Sequence, residues 1–339
     1  MTNRRRLRSW VDVVSDLIDR LPGPPWAVHI ILAVVSVAAT VILRLLDGVV
    51  INPLTIAYAA LTFTPLAMTF YINRAAKRAL ADFRPALGEL EPEYDELERR
   101  LATTSAATGI VGAVIGIGIV TIGNLTADGA WGVSPENSLA TNVVILATQF
   151  ILNASLMTFL LHQVGNLRTI VRIHREATNI QLWNVRPHNA FARVTVLAAI
   201  AITVPYVTAS VFSALFSENA VVTILIVIAA LGLATLLFVG PLTGMRRRLV
   251  REKELQLSAT DRVFEVAAAR LRTDLDAGEL ASAAGLQSAM GALGIERDRL
   301  KRVSTWPWSA DTMRAFLTSL GIPIVLWLVT SALGRLLFG

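Results

Sequence analysis

Three carboxamides, Asn142, Gln149 and Asn153, stand at i, i+7 and i+11 in an otherwise apolar stretch, which places them on one face of a helix. A primary amide both donates and accepts hydrogen bonds. Such a face can replace the hydration of a neutral solute or ligand, or it can join neighbouring helices, and the spacing serves both uses. Tyr206, Ser210 and Ser213 form a weaker polar stripe beside Pro205, whose missing N–H leaves a carbonyl free. Further along, Arg168, Arg172 and Arg175 repeat at helical spacing, with His162, His174, Arg186 and His188 nearby in sequence. Guanidinium groups suit phosphate or an anionic lipid headgroup, and arginines also gather where a span meets the cytosol. Six carboxylates between Glu89 and Glu98 could collect a cation or simply balance neighbouring arginines.

The rest of the chemical inventory is exclusion. With no cysteine, thiolate metal sites, disulfides and cysteine nucleophiles are ruled out. No metal-binding histidine pattern, Walker loop or nucleophile elbow occurs, so neither a resident metal or cofactor nor an enzymatic activity is expected. Gly116-Ile-Gly118 lies within an apolar helix that cannot present a phosphate cradle. The apolar stretches contain no Asp, Glu or Lys, which argues against an ion-coupled permease and against a retinal protein. Nucleic acid is not expected as a partner.

The elements that must position these residues follow from composition. Of 339 residues, 54% are hydrophobic and 17% charged, against about 25% charged in ordinary soluble domains. Long uncharged runs, at 1.5 Å per helical residue, match a hydrocarbon core of roughly 30 Å. We therefore expect an all-α, polytopic helical membrane protein with about seven transmembrane helices, near 27–43, 53–72, 106–123, 140–161, 194–215, 220–240 and 315–338. Residues 1–26 read as an amphipathic N-terminal helix, with Trp10, Val13, Val14, Leu17, Ile18 and Leu21 on one face and Asp12, Ser15, Asp16 and Asp19 opposite. Residues 27–240 read as a six-helix bundle with cytosolic loops 73–105 and 162–193. Residues 241–314 read as a cytosolic helical hairpin turning at Asp276-Ala-Gly278, and 315–339 as the seventh span. The segment 180–188 reads as an extended link with Trp183 as an interface anchor. Gly109, Gly112 and Gly116 give the third span a small-residue surface for close helix packing, inside the subunit or across a homo-oligomer.

Lys and Arg crowd every loop on one side, whereas 124–139 contains neither. The N-terminus is therefore expected in the cytoplasm and the C-terminus outside, in a prokaryotic plasma membrane. Arg44 and Arg335 are the exceptions. The run Pro241-Leu-Thr-Gly-Met-Arg-Arg-Arg-Leu249 resembles the opening of the HAMP signalling linker, but the chain then returns to the membrane through Trp306-Pro-Trp308 instead of entering an output domain. No site residue is carried over from that resemblance. The functional expectation is a non-enzymatic regulatory or scaffold protein whose cytosolic helices, chiefly 241–314, bind a partner while its arginines meet anionic headgroups. The alternative is a transporter or channel for a neutral solute or lipid.

Overall fold

The computed structural model describes residues 8–51, 53–126, 132–179, 182–214, 220–321 and 325. Among them all regular structure is helical. The chain runs through α1 (Trp10–Asp19), α2 (Pro25–Leu46), α3 (Pro53–Leu61), α4 (Thr64–Phe83), α5 (Tyr94–Ala102), α6 (Ala106–Thr126), α7 (Leu139–Glu176), α8 (Val185–Asn189), α9 (Ala192–Ala214), α10 (Ala220–Val239), α11 (Thr243–Asp276) and α12 (Leu280–Arg302). A further helical segment covers 310–321.

Four described segments are long and apolar enough to cross a membrane: Pro25–Leu46, Thr55–Ala86, Ala106–Thr126 and Leu139–Glu176. The connection expected between the fifth and sixth spans, and most of the seventh span, lie outside the described residues. The second expected span is interrupted at Thr62 and Phe63, between α3 and α4. Pro65 explains the break, because it has no N–H to donate back to the preceding turn and is tolerated only at the start of a new helix.

The burial pattern of α2 is the reverse of a water-soluble helix. His29, Ser36, Thr40 and Arg44 are buried, while Ile30, Ile31, Val34, Val35, Ile42 and Leu45 are each more than half exposed. In water that arrangement would waste the hydrophobic effect; against acyl chains it is the favourable one. α6 behaves similarly, with Gly109, Gly112, Gly116 and Val120 inward and Ile110, Val114 and Ile122 outward.

α1 departs from its expected faces. Asp12 turns inward, where both carboxylate oxygens accept from the Thr104 N–H at 3.1 Å, whereas Val13, Leu17 and Leu21 stay exposed. Burial pushes the Asp12 carboxyl above its usual range, against the hydrogen bonds from Thr104 and Ser9. Trp10 Nε1 donates to Gly109 O at 3.1 Å, and Asp19 pairs with Arg74 at 2.8 Å, so α1 is pinned to the first turn of α6 and to the middle of α4.

At this basic end a continuous apolar core joins segments far apart in sequence: Leu80, Phe83, Leu87, Leu97, Leu101, Phe159, Ile170, Ile173, Phe191, Met245, Leu249 and Leu300. The segment after α4 passes through 3₁₀ turns at Arg84–Ala86 and Gly88–Glu93 into α5, and contributes three of these residues, Leu87, Leu97 and Leu101. The link at 180–188 is not extended throughout, since Val185–Asn189 forms a helical turn. A second cluster, around Phe238, Leu242 and Phe316, seats the segment 310–321 beside α9 and α10.

Candidate functional site

α7 has 38 residues, about 57 Å at 1.5 Å per residue, and runs through the centre of the bundle. Its buried face intersperses polar and apolar groups: Thr141, Ile145, Thr148, Leu152, Ser155, Phe159, His162, Asn166 and Ile170. Several hydroxyls are satisfied within their own helices, Thr148 to Ile145 O, Ser155 to Leu152 O, Thr40 to Ser36 O and Thr69 to Pro65 O. This is how a hydroxyl is accommodated away from water. Near the basic end His162 Nε2 lies 2.8 Å from Asn73 Oδ1 of α4 and 3.3 Å from Asn166 Nδ2. Gln163, 1% exposed, has no hydrogen-bond partner among the described residues for either end of its amide.

The three carboxamides singled out by their spacing fall at different depths and have different partners. Asn142 closes the loop before α7, donating to Ser134 O at 2.9 Å and accepting from Asn137 Nδ2 at 2.8 Å. Gln149 Oε1 accepts from Asn124 Nδ2 of α6 at 2.8 Å, a bond between helices. Asn153 donates to Gln149 O one turn back at 2.9 Å. The α6–α7 contact around them depends on the glycines. A Cβ on Gly112 would lie 2.5 Å from the Thr158 backbone, and one on Gly116 would lie 2.5 Å from the backbone of Asn153 and Ala154. At Gly109 it would meet Ser9 of the N-terminal segment at 2.9 Å. Tyr206, Ser210 and Ser213 lie on α9 with their side chains outside the described set.

Beyond Leu161 the arginine face of α7 divides. Arg172 is engaged by Glu93 at 3.0 Å and by Glu176 at 2.9 Å, and Arg175 reaches Glu176 at 3.3 Å. Arg168 is exposed and makes no ion pair among the described residues, so it and Arg175, whose side chain is largely in solvent, are the two left facing outward. Four of the six carboxylates of 89–98 are engaged by cations: Glu93 by Arg172 as above, Glu91 by Arg84, Glu96 by Arg99 and Arg100, and Glu98 by Lys77.

His174 marks where α7 meets α11. Its ring packs between Phe83 and Phe191, with centroids 5.7 and 5.4 Å away, and its Nδ1 lies 3.1 Å from Pro241 O. That geometry makes Nδ1 the donor and leaves Nε2, which has no partner among the described residues, as the acceptor. Burial pushes the imidazole down to about 4, the bond to Pro241 opposes this, and the charges of His188 and Arg248 reinforce it. Arg248 itself donates to Ala177 O, a second tie between the end of α7 and α11.

α11 and α12 then project from this joint. α11 ends in a left-handed glycine cap: Gly278 has φ +78°, and the N–H groups of Ala277, Gly278 and Glu279 return to carbonyls of the last helical turn. The two helices are fastened by Asp261–Arg297 at 2.7 Å and by Lys253 Nζ, which donates to Lys301 O at 2.7 Å and Val303 O at 2.9 Å. Arg246 stacks over Trp306 at 3.8 Å where the chain turns back. Leu255, Val263, Val266, Leu275 and Ile295 of this pair are each more than half exposed.

Sequence reasoning missed Arg44, taken only as an exception to the charge rule, and the buried role of His174. The signal for the latter is its position four residues after Ile170 on the face that carries Ile173 inward. Comparison with known proteins finds no matching family model, no similar curated protein and no similar solved structure.

Proposed function

We propose that the chain is a seven-span plasma-membrane protein, N-terminus in the cytoplasm and C-terminus outside, that acts as a non-enzymatic regulatory or scaffold protein. Its α11–α12 pair is the cytosolic surface that takes a protein partner. One observation carries this reading: outside the apolar bundle, where water is the solvent, the pair leaves Leu255, Val263, Val266, Leu275 and Ile295 largely uncovered. Scattered single exposures are ordinary on a soluble surface, but a two-helix arm with so little core of its own gains most from being covered. The outward Arg168 and Arg175, together with the exposed apolar residues of α1, would meet anionic headgroups at the same membrane face. The test is photo-crosslinking in native membranes from a probe placed at Val266. A discrete adduct with another protein is expected, and adducts confined to lipid would reject the reading.

A second reading, transport of a neutral solute or lipid, is favoured by a separate observation. The bundle buries hydroxyls and amides on α2 and α7 while turning its aliphatic residues outward. Proteoliposome flux distinguishes the two: transport that survives removal of the apolar side chains at Val263 and Val266 supports the bundle as the working part, and absence of flux for a panel of neutral solutes and lipids leaves the arm.

A further inference from the structure

The two faces of α1 meet different surroundings. Val11, Asp12 and Ile18 are buried against the bundle, whereas Val13 and Leu17 are more than half exposed and Leu21, just past the helix end, nearly half. Spaced by four residues, these three form one aliphatic stripe. The inner face is closed by specific bonds. Besides the bonds from Thr104 to Asp12 and from Trp10 to Gly109, the backbone of Arg8 bridges to that of Ser105. Gly109 O also accepts from Thr158 Oγ1 of α7 at 3.4 Å. The first turn of α6 is therefore clasped between α1 and α7, beside the close contact at Gly112 and Gly116.

Two observations identify what covers the outer stripe. The first is continuity. After a turn at Gly23, whose φ is +106°, the chain enters α2, where Trp26, Ile30, Ile31 and Val34 are again more than half exposed. The outward apolar residues of α1 thus lead along the chain into those of a helix long and apolar enough to cross a membrane. The second is charge. Asp16 is paired with Arg8 and Asp19 with Arg74, so the carboxylates beside the stripe are already balanced and what remains to be covered is aliphatic. An amphipathic helix of this kind, joined directly to a span, gains by lying in the interface plane with its apolar side toward the acyl chains.

We propose that α1 lies in the bilayer surface with Val13, Leu17 and Leu21 among the acyl chains, so that lipid holds the clasp on the first turn of α6. Acyl contact, not headgroup charge, drives it. The proposal rests on the reading that the basic end of the bundle meets a membrane face, and it is independent of what the α11–α12 arm binds. The chain has no cysteine, so Leu17→Cys and Val34→Cys each carry a single nitroxide in the full chain, reconstituted in phosphatidylcholine vesicles. Relaxation by oxygen, which concentrates among acyl chains, is compared with relaxation by a water-soluble nickel chelate. Both labels are expected to favour oxygen, with Leu17 unchanged when anionic phosphatidylglycerol is added. A Leu17 label that favours nickel while Val34 favours oxygen overturns the proposal and leaves the membrane reading standing; nickel access at both sites removes that reading as well. Shielding of Leu17 from both reagents puts protein on the stripe, and immersion only with anionic lipid makes the contact electrostatic, so either overturns the proposal. For the clasp, Val13→Asn with Leu17→Asn should speed amide exchange across 104–109 about tenfold in the same vesicles and leave α12 unchanged. Unaltered exchange at 104–109 overturns it.

Discussion

The α6–α7 contact and the α11–α12 pair are both two-helix packings, yet they are built from opposite materials. In the first, backbones touch: Gly112 and Gly116 leave no room for a methyl group, polar side chains face inward and aliphatic ones outward. In the second, Gly285, Gly291 and Gly294 of α12 have nothing within 4 Å of a built Cβ, and aliphatic side chains face open space without a lipid-like neighbour along the helix. Lipid offers no hydrophobic drive between helices, so close van der Waals approach and hydrogen bonds must hold the bundle. In the arrangement proposed above, water supplies that drive to the arm, which leaves much of it unused. The same residue type therefore has contrary meanings in the two regions.

The comparison breaks most decisively at the glycines. Gly112→Leu with Gly116→Leu should cost roughly 3 kcal/mol or more, because the blocking atoms are backbone, and the variant should lose its monodisperse peak in size-exclusion chromatography. A double variant as stable as the parent would mean that α6 does not pack as described.

The joint between the two regions should respond to pH. The unfolded chain takes up a proton on His174 below about 6.5, but the folded chain does so only near 4. The folded-state value is thus depressed, and stability is full above the upper value and falls as pH descends through the window. At pH 5 the loss should be about 2 kcal/mol. Thermal midpoints at pH 7.5 and 5 measure it, and His174→Leu should show the smaller difference between them.

A smaller effect is expected at the carboxamides. Gln149→Leu breaks the bond to Asn124 and should cost about 0.6 kcal/mol, at most about 2, if the residue serves helix packing. A double-mutant cycle with Asn124→Leu measures the coupling. Loss of flux with stability retained would instead assign Gln149 to a solute path.

The smallest change runs the other way. Gly291→Ala, exposed and inside α12, should stabilise that helix by up to about 1 kcal/mol, seen as slower amide exchange in α12 and unchanged exchange in α6.

What could be read from the chain depended on whether a residue's neighbours lie near it in sequence. The helical class and the four described spans were legible, since bilayer thickness sets a run length. The extension of α7 past Leu161 was legible too, from the periodicity of Arg168, Arg172 and Arg175. The interruption before Pro65 was present as a signal and outweighed by the apolar run around it. Asp12 was assigned to the solvent face by local periodicity, but the Thr104 N–H, 92 residues away, draws it inward. Arg44 was unreadable for the same reason, because the carbonyl that receives it belongs to Gly132. Of the candidate site, the positions of Asn142, Gln149 and Asn153 on one helix were legible and their separate partners were not.

The length of α7 also has a mechanical side. Its first turn is tied to α2 through Ser138 and Asp47, and its last turn is tied to α11 through His174 and Arg248. A rod of about 57 Å anchored at both ends behaves as a lever: tilting it by about 5° about one end displaces the other by about 5 Å, close to one helical pitch. A sub-ångström adjustment near the Arg44 end would vanish in a flexible linker, whereas a stiff helix carries angle as well as position. The arm would then sweep an arc set by a change made on the far side of the bundle.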